Sequence, residues 1–242
     1  MRIMLIRHGD PDYEKDSLTE QGWKEAELLS ERLAKEEITE FFVSPLGRAK
    51  DTAAPTLRKM NRTAEEREWL REFSPQIRKP YGGNPSKIVW DWLPSEWTKR
   101  EEFFRRDLWY TEPSLAEGGV KEEYDWVAEG FDGVLAEHGY VRDGDLYRAV
   151  RANRETLVFF CHFGVANVIL SHLAGISPMI LWHMSCLAPS SVTTLYSEER
   201  RKGIALFRAA AIGDTSHLYA GGEKPSFAAR FCEVWDSEER HD

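Results

Sequence analysis

Thr156–Cys161 reads Thr-Leu-Val-Phe-Phe-Cys, a run of β-branched and aromatic residues suited to a buried pleated strand. A helical pattern begins directly behind it. Val165, Val168, Ile169 and Leu173 share one face, and Gly175 is placed as the C-terminal stop. A strand that runs straight into an apolar-faced helix calls for a sheet beside it and helices over that sheet.

The rest of the chain repeats this alternation. Arg2 to Arg7 reads as a buried strand, followed by a loop at Gly9-Asp10-Pro11-Asp12. Ser17 and Glu20 have capping-box spacing, with a helix expected from Ser17 or Thr19 on the periodicity of Trp23, Ala26, Leu29 and Leu33. Phe41-Phe42-Val43 is a short second strand. Ser44-Pro45 then predicts a helix start, Ser as N-cap and Pro at the first position, with a kink or stop near Pro55. A helix is expected from Val120 to His138, and strands over Ser191–Tyr196 and Ile204–Ala210, joined by the charged turn 198–203. Alternating strands and helices predict an α/β layer fold.

Composition narrows the function. The 242 residues are 42% apolar and 30% charged with a formal net charge of −9, which points away from a nucleic-acid binder. No apolar run reaches the roughly 18 residues of a membrane helix, and Ile3–Ile6 is short for a signal peptide's apolar core. Cys161, Cys186 and Cys232 follow no zinc spacing and are expected to be reduced thiols in a cytoplasmic protein. The histidines show no ligand spacing, so no metal and no cofactor is expected. His172, on an apolar helix face, is expected to be structural.

Ligands of parallel sheets collect at the carboxyl ends of the strands. Here one strand ends in Arg7-His8-Gly9, a second in Ser44-Pro45 with Arg48 one turn on, and a third in Cys161-His162. Were these strands neighbours, two arginines and two histidines would converge, a group that calls for an anion. Arg48 in the first turn of a helix opposes the macrodipole, and guanidinium forks suit phosphate oxygens. Cys161 and His162 are adjacent on a strand and point to opposite faces, so they cannot pair as nucleophile and base.

Arg7-His8-Gly9, Leu18-Thr19-Glu20-Gln21-Gly22, Ser44-Pro45-Leu46-Gly47-Arg48 through Ala53, His162-Phe163-Gly164 and Ser190–Leu195 together resemble the histidine phosphatase superfamily, also called phosphoglycerate mutase-like. The resemblance implies a single domain over residues 1–242, a three-layer αβα sandwich around a mostly parallel sheet, and a nucleophilic His8. It also implies Arg7, Arg48 and His162 as phosphate-binding catalytic groups and a proton donor shortly after the second motif. Trp69-Leu70-Arg71-Glu72-Phe73 resembles that place, giving Glu72. The implied reaction is metal-independent hydrolysis of a small phosphorylated metabolite through a phosphohistidine. Mutase-type transfer and a phosphate-binding module without turnover are the alternatives. The chain departs from the family where Arg-His-Gly continues as Asp10-Pro11-Asp12: proline donates no N–H, and acidic side chains facing a phosphate would repel it.

Residues 75–153 carry five of the nine tryptophans, Trp90, Trp92, Trp97, Trp109 and Trp126, interleaved with basic residues. They are expected to form a largely helical cap inserted in the domain, with aromatic walls that select the substrate's organic part; a satellite helical layer is the alternative. The stretch after Gly213 is expected either to wrap the domain or to make a homodimer contact.

Overall fold

The structure, a computed structural model, describes residues 1–228 and 230–241. Its strands are β1 (Arg2–Arg7), β2 (Pro11–Asp12), β3 (Ser17–Leu18), β4 (Glu40–Val43), β5 (Glu65–Glu66), β6 (Tyr140–Asp143), β7 (Leu146–Ala149), β8 (Thr156–Cys161), β9 (Val192–Arg201) and β10 (Ile204–Asp214). Its helices are α1 (Glu20–Leu33), α2 (Gly47–Met60), α3 (Pro94–Trp97), α4 (Pro113–Glu117), α5 (Val120–Glu137), α6 (Phe163–Ala174), α7 (Pro178–Met184) and α8 (Ser216–Ala220).

Eight strands form one sheet in the order β5-β4-β8-β1-β9-β10-β7-β6. The four from β5 to β1 pair in parallel, and the remaining junctions are antiparallel. Following the directions across the sheet, β9 and β7 alone oppose the other six. The strands alternate their side chains between two cores. Met4, Ile6, Phe41, Val43, Val158 and Phe160 pack under α1 and α2 on one face. Ile3, Leu5, Phe42, Leu157, Phe159 and Cys161 pack on the other, with residues of α5, α6 and α7. These are the three expected layers.

Several local expectations shift. Thr19 caps α1, its side chain accepting from the Gly22 N–H. Helix α2 begins at Gly47, not at Pro45, and continues through Pro55 to Met60; the Ser44 hydroxyl is engaged elsewhere, as described below. Strands β9 and β10 each run several residues past their expected ends, so the charged turn is shorter than predicted. Gly175, at φ 65°, stops α6 as expected.

Residues 75–153 divide into two parts. Helix α5 lies within the sandwich, Phe131 stacking near Trp69 and Phe159, and β6 and β7 extend the sheet edge. The stretch before them is made of short turns and helices whose Trp92, Phe103 and Trp109 are almost fully buried. Those rings are core; Trp90 is the tryptophan among the five that also borders the cavity described next. His172, as expected, is structural: its Nε2 meets Asp132 Oδ2 at 2.9 Å.

Candidate active site

The register explains the site. Arg7 lies opposite Cys161 across β1 and β8, so His8 and His162, one residue further along each strand, come side by side. The His8 N–H donates to the Cys161 carbonyl at 2.9 Å, and the Ser44 N–H donates to Phe160 O at 3.0 Å. The three expected strand ends therefore meet. The His8 and His162 rings have centroids 5.1 Å apart, tilted by 56°, and both are essentially buried.

Close backbone approach fixes the loop after His8. A Cβ on Gly9 would stand 2.9 Å from the Gly22 carbonyl, and one on Gly22 only 2.2 Å from that of Asp10. The Gly9 N–H donates to Thr52 Oγ1 at 2.9 Å, tying the loop to α2. On the far side, Ser190, in the left-handed region at φ 59°, donates its N–H to the His8 carbonyl at 2.9 Å.

The His8 ring is oriented by its own loop. Nδ1 lies 2.7 Å from the Gly9 carbonyl; a carbonyl only accepts, so Nδ1 carries the proton and Nε2 holds the lone pair. Burial, reinforced by Arg7, holds the His8 pKa well below its usual value, so the ring is neutral near pH 7. His162 is likewise depressed, by burial first and then by His8, Arg48 and Arg7.

His162 Nε2 lies 2.7 Å from Ser44 Oγ, and that oxygen also accepts from the Leu46 N–H at 3.2 Å. A hydroxyl oxygen has two lone pairs, so with one taken by Leu46 it can still either donate its proton to Nε2 or accept from it, according to the His162 tautomer. His162 Nδ1 is buried and has no hydrogen-bond partner among the described residues. Arg7 Nε and Arg48 Nε are buried in the same condition, while Arg7 Nη1 donates to the Leu187 carbonyl at 2.5 Å. Donors of this kind, unmatched by acceptors, suit an anion.

Glu72 follows a 3-10 turn whose Trp69 and Leu70 are buried. Its Oε1 accepts from the Phe73 N–H at 2.9 Å and from Val165 N–H, in the first turn of α6, at 3.2 Å. Burial raises its pKa above the ordinary carboxyl value, against the pull of those N–H groups, Arg7 and Arg48. Gly164 lets this happen: a Cβ there would stand 2.7 Å from Glu72 Oε1 and 2.3 Å from the Trp90 ring. Arg7, Arg48, Glu72 and Trp90 line one cavity of about 770 Å³. A second cavity, near Met1 and Tyr196, holds none of these residues.

Two carboxylates were invisible in the sequence pattern. Asp16, in the left-handed region at φ 48°, pairs with Arg48 Nη1 at 2.6 Å and accepts from the Gly47 N–H at 2.7 Å. It accepts from the first N–H of α2 and gives Arg48 a carboxylate partner within the protein, separate from the bound anion that the sequence led us to expect. Glu25, fully buried in α1, accepts from the Asp10 N–H at 2.9 Å. Asp10 itself turns away from the cavity, its carboxylate accepting from the Thr19 and Ser226 hydroxyls. Asp12 pairs with Lys15. The repulsion feared at Asp10-Pro11-Asp12 is thereby avoided. His183 is structural: its Nδ1 donates to Met179 O and its Nε2 accepts from the Trp92 N–H.

Burial pushes the Glu25 pKa up to about 7, with the Asp10 N–H opposing and the Asp10 charge adding to the rise. A carboxyl raised in the fold stabilises it fully below the unfolded value near 4.5. That contribution is lost as pH climbs toward 7, and the charged form is the poorer fit above it. Glu25→Gln is therefore expected to flatten stability against pH between these values. It should also stabilise the fold at pH 8 by on the order of 2 kcal/mol. Urea melts of both proteins at pH 5 and pH 8 check this; an equal stability difference at both pH values would contradict it.

A phosphoserine phosphatase variant from Entamoeba histolytica, in complex with phosphoserine, is similar in structure, with a TM-score of 0.61 and 17% identity over 90% of this chain and 98% of that one. A mycobacterial glucosyl-3-phosphoglycerate phosphatase has a TM-score of 0.52 and 16% identity, over 88% and 98%. YhfR of Bacillus stearothermophilus has a TM-score of 0.56 and 20% identity, over 90% and 98%. At these identities the likeness concerns the fold. No curated protein matches the sequence. The family model of the histidine phosphatase superfamily (branch 1) matches residues 3–209, most of the chain and all of the strand ends described above, and the protein belongs to that superfamily.

Proposed function

We propose that the protein is a metal-independent phosphomonoesterase that forms a phosphohistidine on His8. The observation that carries this reading is the 2.7 Å contact of His8 Nδ1 with the Gly9 carbonyl. It leaves a neutral, lone-pair-bearing Nε2 amid the donors of Arg7, Arg48 and His162.

In the first step the Nε2 lone pair forms an N–P bond while the P–O bond to the organic group breaks. The Glu72 carboxyl gives its proton to the departing oxygen, which leaves as an alcohol. The Nδ1–H donation to Gly9 O offsets the positive charge that the ring acquires. Arg7, Arg48 and His162 hold the non-bridging oxygens, and these cationic and N–H donors supply the charge stabilisation that a metal would otherwise provide. In the second step the Glu72 carboxylate takes a proton from water as its oxygen attacks phosphorus. The N–P bond breaks, its pair returns to Nε2, and inorganic phosphate departs.

Turnover of 4-nitrophenyl phosphate in excess chelator tests the whole reading. Turnover abolished by the chelator would refute metal independence; activity appearing only with a bisphosphate primer would favour a mutase.

Ser44 is proposed as a positioning residue that donates its hydroxyl proton to His162 Nε2 and so keeps the ring proton on Nδ1. Ser44→Ala should let the His162 proton move from Nδ1 to Nε2, lowering kcat by about tenfold for one weakened donor, with Ser44→Thr restoring it. Nitrogen-15 NMR of the imidazole reads the tautomer directly. An unchanged tautomer in Ser44→Ala would exclude the role.

A further inference from the structure

The cavity lined by Arg7, Arg48 and Glu72 is also walled by the C-terminal tail. Ala228, Arg230, Phe231 and Arg240 form part of its wall, although they follow the last strand and lie beyond the matched family segment. The tail is pinned at two places. The Ser226 hydroxyl donates to the Asp10 carboxylate behind the catalytic loop. Arg240 Nη2 meets Asp91 Oδ2 at 3.0 Å, and the Cys232 N–H closes the loop onto the Arg240 carbonyl at 2.8 Å. Asp91 is itself fixed, in the left-handed region at φ 61° with its carbonyl accepting from Lys79 Nζ at 2.9 Å.

The charge of this cavity runs against that of the chain. Five cationic side chains line it against two carboxyls, in a protein of formal charge −9. Arg7 and Arg48 are the cations whose charges act on His8, and Arg240 is engaged with Asp91. That leaves Arg230 and Lys87, both exposed side chains of the cavity wall; Arg230 Nη1 lies 3.7 Å from Oε1 of the exposed Glu233. Cys186 also lines the wall, its thiol pushed up by burial and held down first by Arg7 and then by Arg230. A single phosphate held by Arg7 and Arg48 would leave Arg230 and Lys87 with no anionic group of the substrate to meet.

We infer that Arg230 of the tail and Lys87 form a second anion subsite, so that the substrate carries another anionic group, a carboxylate or a second phosphate, beyond its scissile phosphate. This rests on the hydrolysis proposed above and adds the substrate class. The cavity's volume of about 770 Å³ lies in the range that encloses an organic ligand well beyond phosphate size.

A matched series of alkyl phosphates tests it, with chains of two to eight carbons ending in hydroxyl, carboxylate or phosphate. The wild type should favour a charged end by about tenfold in kcat/KM at one or more lengths, the scale of one charge-assisted contact at a half-exposed site. The carboxylate and phosphate arms show which anion is preferred. In Arg230→Ala/Lys87→Ala the ratio should fall to within about twofold of unity. Because the ratio is taken within each protein, a general loss of activity cancels. Arg200→Ala, near the far end of β9, should keep the wild-type ratio. Equal turnover of charged and hydroxyl ends at every length would overturn the subsite, as would a preference that survives the double substitution. Failure of the wild type to turn over 4-nitrophenyl phosphate would instead overturn the hydrolysis itself, and this inference with it.

Discussion

His8→Ala is expected to lower phosphatase turnover by at least about 10⁴-fold, because removing a nucleophile leaves only binding and electrostatic stabilisation behind. The loss should come without unfolding. The backbone of residue 8 is held by the Cys161 carbonyl and the Ser190 N–H, and neither bond involves the imidazole. A decisive companion measurement is rapid quench with a labelled aryl phosphate. The wild type should yield an acid-labile, base-stable phosphoenzyme that maps to His8, and the alanine variant should yield none. Equal labelling of both proteins would dismiss the covalent route and leave His8 as a binding group.

The second large effect belongs to Glu72→Gln, and its size should depend on the leaving group. An alkoxide needs a proton to depart, so alkyl phosphates should lose about 10² to 10⁴-fold in kcat, the range of a positioned general acid. A dinitrophenolate leaves unaided, and its formation of phosphoenzyme should change by less than about tenfold. The pH dependence carries a second signature. Burial raises the Glu72 pKa, so the acid stays protonated above the ordinary carboxyl range and activity falls on the alkaline side as it ionises. On the acidic side activity falls where His8 becomes protonated, a limb displaced downward because the histidine pKa is depressed. Glu72→Gln should erase the alkaline limb and keep the acidic one. A uniform loss across leaving groups, with both limbs intact, would return the acid role to another carboxyl.

The features legible in the sequence were those in which local chemistry and local structure coincide. Apolar β-branched runs ending at Arg7-His8, Ser44 and His162 mark strand ends by an abrupt change of residue type, and alternation then places those ends on one side of a sheet. Glu72 was singled out through the superfamily resemblance alone; the Val165 N–H that meets its carboxyl comes from α6, far along the chain. Ser44 looked like a helix cap because Ser-Pro usually is one. Its partner, His162, lies across the sheet, and no local pattern records that pairing. Asp16 was missed for a similar reason, since a left-handed aspartate in a loop shows no periodicity. The stretch before α5 builds its core from three- to five-residue turns and helices, too brief to display a repeat. Among the described residues the tail has no helix or strand after α8, and its place over the cavity depends on Ser226 and Arg240 reaching Asp10 and Asp91.

Strand β8 lies between β4 and β1, yet residues 44–155 must be laid down before it can enter. Neither earlier strand can close against its final neighbour until then. This is a long loop to close before any reward is collected, the topology associated with slow, all-or-none assembly. An early intermediate holding only the first half of the chain would have one imidazole and no partner for it. Recovery of turnover on refolding should therefore coincide with the last phase of sheet formation, with no active fragment preceding it.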